Sequence, residues 1–92
     1  MKKTNGMKYD AALICRGSFP ATLEETDEPC TVEVTVYRLN AVAVTAFLLD
    51  GPETLLRHIG LDERDTYTTK HEIDDLVTVV HITREEATAW HH

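Results

Sequence analysis

The segment CTVEVTVYRL, residues 30–39, alternates apolar and polar side chains with a period of two. One face of this segment carries Val32, Val34 and Val36, and the other carries Thr31, Glu33, Thr35 and Tyr37. A period of two, together with many β-branched residues, predicts a β-strand. It is the clearest such pattern in the chain, so we expect a β-sheet to form the framework of the fold.

Residues 7–16 show the same alternation, with Met7, Tyr9, Ala11, Leu13 and Cys15 on one face. The pattern predicts a second, half-buried strand. Gly17 and Pro20 are expected to end this strand, because both residue types interrupt regular strands. Residues 17–29 would then form a polar connection between the two strands.

Residues 41–49, AVAVTAFLL, have two interpretations. Asn40 tolerates a positive φ angle, so it could turn the chain back into a strand that pairs with residues 30–39. Alternatively, Asn40 could cap a helix. Three residues of the segment are β-branched, which lowers helix propensity, so we favour the strand.

Residues 50–60, DGPETLLRHIG, predict a short helix. Pro52 suits the first helical position, and Gly60 suits helix termination. The buried side of this helix would consist of Leu55, Leu56 and Ile59. A helix of this length is unstable alone, so it must pack on the sheet.

Residues 66–83 are predicted to form a hairpin that bends at Asp74 and Asp75. In that hairpin, one face carries Tyr67, Ile73, Leu76, Val80 and Ile82, while His81 lies opposite Thr68 and His71 lies opposite Thr78. A helix that begins with a capping box is the alternative for residues 69–75, and the sequence leaves that choice open.

The end of the chain predicts a second helix, in which Thr83 and Glu86 form a capping box and Trp90 anchors the helix to the core. The summed order is strand, strand, strand, helix, strand, strand, helix. This order predicts an α+β domain with a mainly antiparallel sheet of about five strands and two short helices. Residues 1–6 are expected to be a flexible leader, and residues 7–92 a single domain.

The chain is acidic, with 16 Asp and Glu residues against 9 Lys and Arg residues and a net charge of −7. A negative surface repels DNA, RNA and anionic lipid, because these ligands are bound by rows of Lys and Arg. In addition, no apolar run reaches the roughly 18 residues that a membrane span needs. We therefore expect a cytoplasmic protein that binds neither nucleic acid nor membranes directly.

The sequence shows no motif for catalysis, for a cofactor or for a metal. Ser18 lacks the glycine context of a nucleophile elbow. Cys15 and Cys30 are too few for a disulfide framework, and we expect both to be buried free thiols. The internal histidines lack the spacing of metal ligands, and the isolated glycines do not make a phosphate-binding loop. We therefore predict that the chain is not an enzyme and holds no cofactor or metal.

Acidic groups remain as the candidate site. Four carboxylates lie within residues 24–28, where like charges repel each other and gain nothing from a helix dipole. We predict a partner-binding surface made of Glu24, Glu25, Asp27, Glu28, Asp62, Glu63, Asp65, Asp74 and Asp75. Its partner would be a basic protein surface, of the kind that nucleic-acid-handling complexes present.

This hypothesis makes the chain a small acidic binding module, comparable to the inhibitors that phages and other mobile elements carry. The alternative is a structural subunit that forms homodimers by pairing its sheet edges. A small enzyme or ligand-binding domain is the third hypothesis, and it requires an imidazole, a thiol and a carboxylate to converge in one pocket.

Overall fold

The computed structural model describes residues 8–84. These residues form β1 (Ala11–Thr22), β2 (Pro29–Leu39), α1 (Ala41–Asp50), α2 (Glu53–Ile59), β3 (Thr66–Lys70) and β4 (Leu76–Arg84). The strands make one antiparallel sheet in the spatial order β1-β2-β4-β3. The domain is therefore α+β with an antiparallel sheet, as predicted, but the sheet has four strands where about five were expected. None of the helices in the described part of the chain is long and apolar enough to cross a membrane.

Residues 41–49 account for the difference in strand number, because Ala41–Asp50 is a helix and the favoured strand is wrong. Asn40 has φ −80° and ψ 176°, and its Oδ1 accepts a hydrogen bond of 2.8 Å from the Ala43 N–H. Its Nδ2 donates a hydrogen bond of 2.6 Å to the carbonyl of Lys8. The side-chain cap and the complete burial of Ala43 outweigh the low helix propensity of the β-branched residues.

β1 begins and ends later than predicted, since it runs from Ala11 through Gly17 and Pro20 to Thr22. The prediction that Gly17 and Pro20 end the strand is wrong, and the connection to β2 is residues 23–28 and not 17–29. In the described chain it pairs with β2 alone and forms an edge of the sheet, where a proline is tolerated. A bulge between Leu13 and Cys15 shifts its register by one residue. Cys15 therefore lies on the opposite face from Leu13, and the prediction that both share one face is wrong.

The hairpin predicted for residues 66–83 is present as β3 and β4. Asp74 and Asp75 lie at its bend with φ angles of 59° and 52°, a conformation that Asp adopts more readily than most residues. The predicted register is wrong by two residues at His81, which pairs with Thr66 and not with Thr68. The same error of two residues applies to His71, because Thr78 pairs with Thr69 and the His71 N–H donates a hydrogen bond of 2.7 Å to the Leu76 carbonyl. The His71 side chain nevertheless reaches Thr78, since its Nε2 lies 2.6 Å from the Thr78 hydroxyl.

The core lies between the two helices and one face of the sheet. It consists of Leu39, Val77 and Val79 from the sheet and Ala43, Leu55 and Leu56 from the helices. α2 supplies its two leucines as predicted and ends at Gly60, whose φ of 84° is the left-handed conformation that favours glycine. Next to this core, the ring of Tyr9 packs against that of His58 with 4.8 Å between the ring centroids.

The other face of the sheet carries no helix within residues 8–84, and we call it the open face. Paired residues of antiparallel strands point to the same side, so the pairs Val34–Val80 and Val32–Ile82 lie together on it. Apart from glycine and alanine, the uncharged strand residues that the register places on the open face are Cys15, Phe19, Cys30, Val32, Val34, Val36, Tyr67, Thr69, Leu76, Thr78, Val80 and Ile82. The valines of β2 thus point away from the core, whereas Thr35 and Leu39 point into it.

Predictions for both ends of the chain lie outside the described residues. These are the leader at residues 1–6, the helix that includes Glu86, and the anchoring of Trp90. Thr83, the expected cap of that helix, lies within β4.

Candidate partner-binding surface

Two of the predicted acidic groups lie at the same end of the sheet. The loop of residues 23–28 joins β1 to β2, and the loop of residues 61–65 precedes β3. β4 lies between β2 and β3, and its last residue contacts both loops. We call this region the acidic end, defined by Glu24, Glu25, Asp27, Glu28, Asp62, Glu63 and Asp65 together with Arg64 and Arg84.

Arg84 holds the two loops together. Its Nε and Nη2 each donate a hydrogen bond of 3.1 Å to the carboxylate of Asp65. Its Nη1 lies 3.7 Å from Oε1 of Glu28 in the other loop. The hydrogen bonds from Arg84 lower the pKa of Asp65, with a further contribution from the positive charge of Arg84 itself. A single guanidinium therefore bridges two acidic segments, whose relative position is set by the pairing of β4 with β2 and β3.

Backbone hydrogen bonds give both loops a defined conformation. In the first loop, Leu23 N–H donates to the Glu28 carbonyl at 2.9 Å, and Asp27 N–H donates to the Leu23 carbonyl at 2.8 Å. In the second loop, the Asp65 carbonyl accepts a hydrogen bond of 2.8 Å from Ile82 N–H of β4. The carboxylates are thus displayed from an ordered backbone, which reduces the entropy that binding would cost.

Most carboxylates of the acidic end have no basic partner among residues 8–84. The ion pairs at this end involve Glu28 and Asp65, and both are made with Arg84. Five carboxylates are exposed and make no ion pair within the described chain, and they are Glu24, Glu25, Asp27, Asp62 and Glu63. The acidic end therefore carries a local excess of negative charge.

Asp74 and Asp75, also predicted as partner-binding residues, lie elsewhere. Their turn is at the other end of β3, a strand of 5 residues that spans about 17 Å. The carbonyl of Asp75 accepts a hydrogen bond of 3.0 Å from Leu39 N–H, and its carboxylate lies 3.8 Å from Lys70 Nζ. The nine predicted residues thus divide into a group of seven at the acidic end and a separate pair.

A groove of about 430 Å³ connects the acidic end to the open face. It is lined by Leu23, Glu24, Glu25, Thr26, Asp65, Tyr67, Ile82 and Arg84. Tyr67 comes from the open face and is 61% exposed. The groove therefore offers apolar and aromatic surface directly beside unpaired carboxylates, a combination that suits a partner with both cationic and apolar groups.

Sequence reasoning missed Tyr67, Ile82 and Arg84 as members of this surface. Each of them belongs to β3 or β4, and each reaches the acidic loops because β4 pairs with β2 and β3. The local sequence around these residues gives no sign of that pairing. The strand order would have been the necessary signal.

Polar residues on the same face as the helices form a row across three strands. Ser18 pairs with Glu33, and Glu33 pairs with His81. Because Glu33 stands between them, Ser18 and His81 are separated by two strand spacings, about 10 Å. This distance is too long for His81 to take a proton from Ser18 directly. The Nδ1 of His81 instead lies 2.9 Å from the hydroxyl of Thr66.

The two cysteines are both free, and their environments differ. Cys30 is buried as expected. Cys15 is exposed, so the prediction of burial is wrong for this residue, because β1 is an edge strand and the bulge moves Cys15 to the open face. Within residues 8–84, no group of three His, Cys, Asp or Glu side chains is placed to hold a metal ion.

Comparison of the chain with protein-family models, with curated proteins and with solved structures finds no match.

Proposed function

We propose that this chain is a small protein-binding module whose acidic end occupies a basic surface of a larger protein. The observation that carries the proposal is the convergence of two acidic loops on Arg84. Seven carboxylates and two arginines lie in this region. Holding like charges together raises the free energy of the free protein, and a cationic partner relieves that repulsion when it binds.

The adjoining groove supports the proposal because charge alone gives little affinity. Charge complementarity mainly accelerates encounter and rejects wrong partners, whereas buried aromatic and aliphatic anchors supply most of the binding energy. Tyr67 and Ile82 offer such anchoring surface beside Glu24 and Glu25. The carboxylates of the acidic end would select the partner, and the groove would bind it.

The partner class follows from the charge pattern. Proteins that bind nucleic acid present rows of Lys and Arg to the phosphate backbone. A cluster of carboxylates on a rigid end can take the place of those phosphates. We therefore infer that the partner surface is a nucleic-acid-binding site and that the chain acts as an inhibitor of that site, as small proteins of phages and mobile elements do. Direct binding of nucleic acid by this chain is not expected.

Two matched variants test the proposal. The first neutralises the acidic end with Glu24→Gln, Glu25→Gln and Asp27→Asn. The second removes the same number of charges from the distant turn with Glu72→Gln, Asp74→Asn and Asp75→Asn. Asn is chosen at positions 27, 74 and 75 because their φ angles are positive and Asn tolerates that conformation. The parent chain and both variants are immobilised, and the proteins that they retain from a cell lysate are identified by mass spectrometry.

The proposal predicts a basic protein that the parent chain and the second variant retain and that the first variant loses. Added NaCl should release this protein, because salt screens charge pairs at an exposed surface. A short DNA duplex should compete with the chain for it. Equal retention by all three forms, or retention that is insensitive to salt, would contradict the proposal.

A further inference from the structure

We propose that the open face of the sheet is a homodimer interface, on which a second copy of this chain packs face to face. This inference goes beyond the proposed function and does not depend on it. Val34 and Val80 lie at the middle of the face, with Phe19 and Tyr67 on the flanking strands. Phe19 is 51% exposed and Tyr67 is 61% exposed. Monomeric proteins rarely expose continuous apolar surface of this kind.

The charge distribution fits a second copy. Among the strand residues of the open face, Arg38 and Arg84 are charged, and they lie at opposite ends of the face. No carboxylate belongs to the strand residues of this face. Two sheets in face-to-face contact pack about 10 Å apart through interdigitated apolar side chains. A centre without charge can form such a contact without burying an unpaired ion.

The area of the face is sufficient for a dimer. The strands contain 12, 11, 5 and 9 residues. At about 3.4 Å per residue and about 4.8 Å between strands, they make a face of about 600 Å². Two such faces in contact bury about 1,200 Å², which reaches the lower limit for a specific and stable interface.

The sheet edges are poorly suited to self-association, so the open face is the better site for a second copy. β1 carries a bulge after Leu13, a charged side chain at Arg16, and Pro20, which has no N–H to offer. Each of these features hinders pairing with another strand. The other edge strand, β3, has only 5 residues.

Repulsion between acidic ends determines how the two copies are oriented. A twofold axis that runs parallel to the sheets and perpendicular to the strands keeps the two acidic ends apart and places each at the end of the other copy that carries Arg38. The turn of residues 71–75 at that end is also acidic, but it carries three carboxylates against seven, and Lys70 lies 3.8 Å from one of them. The dimer would then display one acidic end in each direction. Because Tyr67 and Ile82 also line the groove beside the acidic end, self-association and capture of a partner through that groove should compete.

Light scattering over about 5 to 200 µM protein tests the dimer, because its population depends on protomer concentration. The parent chain should approach the mass of a dimer. Tyr67→Lys should weaken association by about tenfold or more, since it places a charge in the interface. Leu49→Lys is the matched control, because Leu49 is 79% exposed on α1, away from the open face, and its association constant should not change. Circular dichroism shows that each variant is folded.

Cys15 gives a second readout in the unmodified chain, since it lies on the open face and is exposed. Its reaction with a thiol reagent should slow as the protein concentration rises. A parent chain that stays monomeric at about 200 µM would overturn the inference, as would equal effects of Tyr67→Lys and Leu49→Lys. Protection of Cys15 that is independent of concentration would also overturn it, because a segment of the same chain would then cover the face.

Salt separates this inference from the proposed function. Added NaCl should strengthen self-association, because it screens the repulsion between two chains of net charge −7. The same salt should weaken capture of a basic partner. The prediction for self-association can therefore be contradicted while the prediction for partner capture is confirmed, and the reverse is also possible.

Discussion

Arg84 donates two hydrogen bonds of 3.1 Å to Asp65 and thereby joins the end of β4 to the loop that precedes β3. Because the same guanidinium lies 3.7 Å from Glu28, it also reaches the loop between β1 and β2. The pairing of β4 with β2 and β3 brings the two acidic loops to one end of the sheet, and this basic side chain bridges one carboxylate from each loop. The strand order and the position of this arginine, and not only the number of acids in the chain, give the surface its form.

Arg84→Gln should raise the pKa of Asp65 toward its ordinary value of 3.8, because the two hydrogen bonds and the positive charge of Arg84 are lost. An NMR pH titration of the Asp65 side-chain carboxyl measures this change. Arg64→Gln is the control, since Arg64 acts on Asp65 through charge alone and its loss should have a smaller effect. An unchanged pKa of Asp65 in Arg84→Gln would show that the hydrogen bonds are not formed in solution.

The same pair predicts how stability depends on pH. The folded pKa of Asp65 is lower than the unfolded value, so the pair stabilises the fold above the unfolded pKa and ceases to do so as pH falls through the folded pKa. The difference in urea midpoint between the parent chain and Arg84→Gln should therefore be present at neutral pH and disappear in acid. A difference that stays constant over this range would mean that Arg84 stabilises the fold by another route.

Asn40→Ala should lower the free energy of unfolding by about 1 kcal/mol, since it removes the acceptor that caps α1 at the Ala43 N–H. Urea denaturation measures the change. Asn40→Asp keeps the capping oxygen and loses the donation to the Lys8 carbonyl, so its effect should be smaller than that of Asn40→Ala. Equal losses in both variants would indicate that the tie to Lys8, and not the cap, provides the stability.

Leu55→Ala should lower the free energy of unfolding by about 2–5 kcal/mol, because Leu55 is fully buried between α2 and the sheet. Leu49→Ala changes the same side chain on α1, where it is 79% exposed, and should cost less than about 0.5 kcal/mol. Urea denaturation of both variants checks the predicted position of the core. Similar losses in the two variants would place Leu49 in the core and contradict the packing described above.

The alternating strands were predictable from the sequence because a period of two reports strand structure directly. β2 and the hairpin of β3 and β4 were found in this way, whereas the end of α2 was predicted from the helix-terminating glycine at position 60. The sequence did not predict α1, because Asn40 suits either a turn or a helix cap. Asn40 caps a helix in this fold because the helix buries Ala43 against the sheet, and the sequence near Asn40 does not show that burial.

The two faces of the sheet were harder to assign than the strands themselves. Alternation shows that Val32, Val34 and Val36 share a face, but the helices cover the face that carries Thr35 and Leu39. The bulge after Leu13 has no signature in the local sequence. The convergence of the acidic loops depends on strand order, which a single sequence does not encode locally.

Binding of a peptide rich in Lys and Arg, followed by amide chemical shifts in the parent chain, tests the central claim most directly. The turn of residues 71–75 is an internal control, since it is acidic and lies at the other end of the sheet. The account predicts shift changes concentrated in residues 23–28, in residues 61–65 and at Tyr67 and Ile82, which diminish as NaCl is added. Changes that are largest at residues 71–75, or that are equal at all carboxylate-bearing positions, would contradict it.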